Sequence, residues 1–129
     1  MSIRRVRILV YSSAPLLRAI RHIFAGRDEF EIVGENGSVR RLAETSAEIA
    51  PQLIVADLKP VLTGVSSAVS AIKHSSPLAK LILICPLTDL KPAGRRCGAD
   101  ACLAPEEILT RLPRTVSALS RDLTSEKQA

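Results

Sequence analysis

Five short runs of mostly apolar residues, separated by longer amphipathic stretches, constrain this 129-residue chain more than any other feature. They fall at residues 6–11, 30–33, 53–56, 81–85 and 101–103. A strand with one wet face alternates apolar and polar side chains. These runs are apolar at adjacent positions, so each is predicted to be a strand covered on both faces of a sheet.

The stretches between them read as helices. Ser13 is placed to cap the first, with Pro15 tolerated in the opening turn and Leu16, Leu17, Ile20, Ile23 and Phe24 at helical spacing until Gly26. Asn36 and Gly37 mark a turn, and Ser38 is placed to cap a second helix that carries Val39, Leu42, Ala43, Ala47 and Ile49 and stops at Pro51. A third helix is predicted near residues 65–72. The fourth segment, 86–98, contains Pro92 and Gly94 and is expected to be short or irregular. Pro105, Glu106 and Glu107 open the last helix, whose apolar positions are Ile108, Leu109, Leu112, Val116, Leu119 and Leu123, with Pro113 bending it. Strand and helix thus alternate five times. The predicted fold class is doubly wound α/β, a five-stranded parallel sheet with about five helices in one domain over residues 1–129. Its core covers about 6–120, and 124–129 forms a polar tail.

Several function classes drop out on composition. Hydrophobic residues make up 47% of the chain, enough for a core that needs neither metal nor disulfide. The longest strongly apolar stretches, 8–11 and 81–87, are far short of the ~20 residues that span a bilayer, and no signal-type segment opens the chain, so a cytoplasmic location without membrane contact is expected. Cys85, Cys97 and Cys102, with His22 and His74 remote from them, match no zinc spacing. Two remote histidines supply no base beside a nucleophile, so no enzyme is expected. The formal charge of +5 makes an anionic partner thinkable. The arginines are scattered, however, and aromatic content is 2%, without the stacking platform of single-strand binders, so nucleic acid is not the expected partner. The pairs Arg40–Arg41 and Arg95–Arg96 read as solvated faces, with docking of an acidic protein as the second reading.

In doubly wound sheets chemistry sits beyond the carboxyl ends of the strands. The residues there are Ser12, Ser13, Asp57, Cys85, Ala104 and Pro105. Helix capping alone accounts for Ser12 and Ser13.

The segments ILVYSSAPLLR (8–18), FEIVGE (30–35), PQLIVADLK (51–59) and GADACL (98–103) occur in an order that resembles the CheY-like receiver domains of bacterial response regulators, over residues 6 to about 120. The resemblance implies strand order 2-1-3-4-5. It also implies phosphoryl transfer to an aspartate beside a magnesium ion held by two acids, with a Ser or Thr and a Lys on the phosphoryl oxygens. Asp57 matches the acceptor. The acidic pair reads Ser12 and Ser13, which cannot replace two carboxylates as magnesium ligands. The hydroxyl position reads Cys85, the lysine position Pro105 and the aromatic switch position Cys102, while the loop after Asp57 looks one residue short. Lys59 offers a substitute cation. The expectation is therefore a pseudo-receiver, with no cofactor and magnesium absent or weakly held. Such a module binds a partner signalling protein or a second copy through the face of the fourth helix, fifth strand and fifth helix. A phosphoacceptor using Asp57 is the alternative. Thiols at both switch positions, Cys85 and Cys102, add a redox reading that needs their Cα atoms within about 7 Å.

Overall fold

The computed structural model describes residues 6–35, 39–57, 65–84 and 98–128. Five strands, β1 (Val6–Tyr11), β2 (Phe30–Glu35), β3 (Leu53–Asp57), β4 (Lys80–Ile84) and β5 (Ala101–Leu103), form one sheet. All pair in parallel in the order β2-β1-β3-β4-β5. Helices α1 (Ala14–Ile23), α2 (Val39–Ile49) and α3 (Val65–Ser75) connect them, and a 3₁₀ turn, Pro105–Glu107, leads into α4 (Ile108–Gln128). This is the doubly wound sheet that the apolar runs predict. Four α-helices stand among the described residues; the predicted fourth segment, up to residue 97, and the Asn36, Gly37 and Ser38 turn and cap lie outside them.

Adjacent apolar residues in each strand serve opposite layers. Ile8, Val10, Leu53, Val55, Ile82 and Ile84 pack with Ile20 and Phe24 of the α1 segment and with Ile108, Leu112 and Val116 of α4. Leu9, Ile54, Ala56, Leu81 and Leu83 pack with Val69 and Ile72 of α3. Burial on both faces is the reason the strands do not alternate. Phe24 also meets Phe30 edge to face, ring centroids 5.1 Å apart, closing the α1–β2 connection.

Several boundaries differ from the sequence reading, among them that of β3, which takes in Asp57 beyond its apolar run. β2 runs two residues further, because Gly34 and Glu35 continue the pairing with Val10 and Tyr11 although neither adds to the apolar run. A Cβ at Gly34 would lie 2.7 Å from Leu17 Cδ2, so any larger residue here would displace the tip of the Leu17 side chain on α1. β4 starts at Lys80 and ends at Ile84, leaving Cys85 outside the described residues. α3 continues to Ser75 through Lys73 and His74, the lysine being a cation that suits a helix C-terminus. α4 continues to Gln128, so most of the expected polar tail is helical; Glu126, Lys127 and Gln128 are good helix formers and no glycine or proline interrupts them.

Ala50, just after α2, has φ of 52° and donates its N–H to the Ser46 carbonyl at 2.9 Å. Left-handed backbone costs a non-glycine residue about 1–2 kcal/mol. Ala50→Gly relieves that strain, and the glycine's extra unfolded-state entropy offsets about half. A net gain of about 0.5–1 kcal/mol is expected, read as a Tm higher by about 2–4 °C in a thermal melt.

Candidate functional site

The carboxyl edge of the sheet gathers the chain ends leaving β1, β3 and β5. Tyr11 closes β1 between Glu35 of β2 and Ala56 of β3, and one residue on, Asp57 closes β3 in register with Ile84. Asp57 is half-buried. This topology brings Ser12, Ser13, Asp57 and Pro105 to one edge. Lys59, Cys85 and Cys97 lie outside the described residues, which leaves the substitute cation and the Cys85–Cys102 pair without a described geometry.

The two serines after β1 part company. Ser12 is 4% exposed, whereas Ser13 faces solvent. Ser12 Oγ donates to the Ser13 carbonyl at 3.1 Å, which commits its one proton and leaves lone pairs as its remaining capacity. Ser13 occupies the N-cap of α1 with extended backbone (φ −62°, ψ 157°), and its carbonyl accepts from Leu17 N–H at 2.9 Å. Its side chain makes no cap hydrogen bond, contrary to the expectation that capping explains these serines. Pro15 already removes one of the donors that a cap would satisfy.

Beyond β5 the chain is held by a carboxylate. Ala104 is buried, and its N–H donates to Glu107 Oε1 at 2.8 Å while Glu107 N–H donates to the Ala104 carbonyl at 2.9 Å. Glu107 Oε2 also meets Arg111 Nη1 at 3.1 Å, one helical turn on. Pro105 is exposed at the first position of the turn, where its missing N–H leaves no bond unmade. The sequence reading placed Glu107 in the first turn for the helix dipole and missed this cap. The available signal was a glutamate three residues after the cap position. Cys102 is half-buried in mid-strand, in register with Leu83 and packed on the α3 side of the sheet.

At the opposite, amino edge, Asp100 makes a clamp that sequence reading did not find. Its carboxylate accepts from Leu81 N–H at 2.7 Å and from Lys73 Nζ at 2.8 Å, and Lys73 Nζ also reaches the Ala79 carbonyl at 3.0 Å. Alongside, Arg7 Nη1 donates to the Ile49 carbonyl at 2.7 Å and Gln52 Oε1 accepts from Arg7 N–H at 3.0 Å. These residues secure the base of the sheet, far from Asp57.

No family model matches the chain, and no curated protein sequence matches it. Solved structures do. The signal receiver domain of a protein described as a LuxO repressor, from Vibrio parahaemolyticus, superposes with a TM-score of 0.80 at 21% identity, covering 96% of each chain. The response regulator domain of Thermotoga maritima CheB gives 0.72 at 20% identity over 92% of this chain and 96% of its own. The fold is the receiver fold. A CheY-like protein, TadZ from Pseudomonas aeruginosa, shares it at a TM-score of 0.68 and 17% identity, over 88% of this chain and 91% of that one. At these identities the likeness is one of architecture, and the strand order is the one the resemblance implied. Among the described residues of this receiver fold no three His, Cys, Asp or Glu side chains gather as a metal would need, and no helix is long and apolar enough to cross a membrane.

Proposed function

We propose that this chain is a degenerate receiver domain that works as a signalling protein-interaction module, without magnesium-dependent phosphorylation of an aspartate. The observation that carries the reading is the chemistry at the carboxyl edge. Magnesium takes hard, anionic oxygen ligands in near-ideal octahedral geometry. The two positions after β1 offer neutral hydroxyls, one exposed and one buried with its proton committed to Ser13. That donor set does not fit a receiver's magnesium site.

The position after β5 supports the same reading. An acyl phosphate concentrates negative charge that a fixed ammonium would offset. Here the position holds Pro105, in a turn that Glu107 fastens to Ala104. The Glu107 carboxylate is thus part of the backbone's own hydrogen bonding. The partner, a signalling protein or a second copy, would use the face of β5 and α4, the elements of the expected interface that lie among the described residues. The same reading makes the module non-enzymatic, cytoplasmic and not a nucleic-acid binder.

A second reading keeps Asp57 as a working acceptor, with Lys59 as its cation. It is favoured by one observation, that Asp57 closes the central strand β3. Intact mass after incubation with magnesium and a small acyl phosphate, beside Asp57→Ala, separates the two. No mass change in either chain is expected. One added phosphoryl group in the native chain alone would establish the second reading.

A further inference from the structure

The described cations fall into two groups by where they lie. At the amino edge Arg7 is engaged with the Ile49 carbonyl and Glu31 and Lys73 with Asp100, while Lys80 has no acidic partner among the described residues. The cations on the layer of α1 and α4 are mostly not engaged. Arg18 and Arg21 on α1, Arg27 just beyond it and Arg114 on α4 are all exposed, and none has an acidic partner among the described residues. Arg111, exposed beside them, is offset by Glu107. The two helices lie together over one face of the sheet, joined through Ile20, Ile108, Leu112 and Val116. Their outward charges therefore form one surface, and α1 contains no acid at all.

Local stability does not account for this arrangement. Arg21 and His22 suit the C-terminal turn of α1. Arg18 stands mid-helix and Arg114 lies beyond the first turn of α4, so the dipole favours neither. Arg21 also lies close over the bare backbone of Gly34, with Nη2 3.0 Å from where a Cβ would be. Exposed arginines without partners keep their full set of donors for carboxylates, which guanidinium binds two at a time.

We propose that the α1–α4 layer is a docking surface for an acidic surface of a partner protein. The inference rests on the reading of the chain as a binding module and names the chemistry of what it binds. A protein is favoured over nucleic acid because no aromatic side chain accompanies the arginines on this layer's exposed positions, so stacking on bases would be missing. Leu109, 71% exposed at the start of α4, supplies the kind of apolar contact that protein interfaces combine with arginine.

The test is an NMR titration of the full chain with a 20-residue poly-glutamate peptide at low salt. Shifts are expected to concentrate at residues 14–27 and 108–120. The triple variant Arg18→Glu, Arg21→Glu, Arg114→Glu should weaken binding at least tenfold. A charge-matched control, Arg40→Glu, Arg41→Glu, Arg95→Glu, should stay within about twofold, and the thermal melt of each variant checks that it is folded. Equal losses from the two triples would reduce the effect to net charge and overturn the proposal, as would no binding or shifts scattered over the chain. A 20-base-pair duplex that binds tenfold tighter than the peptide through the same arginines would overturn it in favour of nucleic acid. The outcome is separable from the phosphorylation test. Peptide binding at α1 and α4 with a phosphoryl mass gain sinks only phosphorylation-independence, whereas scattered shifts without a mass gain sink only the surface.

Discussion

Leu112→Ala is expected to lower stability by about 3–4 kcal/mol, measured as a reduced urea midpoint with an unchanged m-value. Leu112 is fully buried, among Ile108 and Val116 of its own helix and Ile20 of α1. Its truncation removes transfer free energy and leaves a cavity between two helices and the sheet. The helices cannot close over it without moving apart from Val10 and Val55, which pack in the same cluster. Against a typical total of about 5–15 kcal/mol, that loss is a large fraction of what a domain this size holds. A drop below about 1.5 kcal/mol would mean that α4 repacks, and that the α1–α4 layer is looser than its burial implies.

Asp100→Ala is expected to cost about 2–3 kcal/mol, most of it through a backbone group rather than the ion pair. The Lys73–Asp100 contact is 2.8 Å long but about a quarter exposed on each side, so solvent limits its worth to about 1 kcal/mol or less. Leu81 is wholly buried, and its N–H would lose its acceptor. An orphaned buried donor costs about 1–3 kcal/mol. Lys73→Met is the discriminating comparison, with an expected loss under about 1 kcal/mol. If Lys73→Met proves as damaging as Asp100→Ala in the same urea titration, the ion pair and not the Leu81 bond is the source.

The elements legible in the sequence were those decided by neighbouring residues. Residues 53–56 and 101–103 could be read as strands because apolar side chains stand at adjacent positions, and Pro105 marked where the last helix region begins. Strand ends that depend on a partner were not legible. Gly34 and Glu35 belong to β2 because Val10 and Tyr11 lie beside them, a fact held 24 residues away. The site divides in the same way. Asp57 was placed at the end of β3 by the run before it. That Ser12 turns inward while Ser13 faces out could not be read, since two consecutive serines carry no periodicity. The Asp100 clamp was invisible for the same reason, its cation lying 27 residues earlier in the chain.

The hydrogen bonds at the amino edge have a practical consequence for anyone altering this domain. Gln52 holds β1 through its side chain and passes its carbonyl to Lys80 N–H at 3.0 Å, while Asp100 ties β5 to β4. The base of the sheet is thus a chassis in which single side chains fasten neighbouring strands, so that a change at Gln52 or Asp100 would be felt by two strands at once.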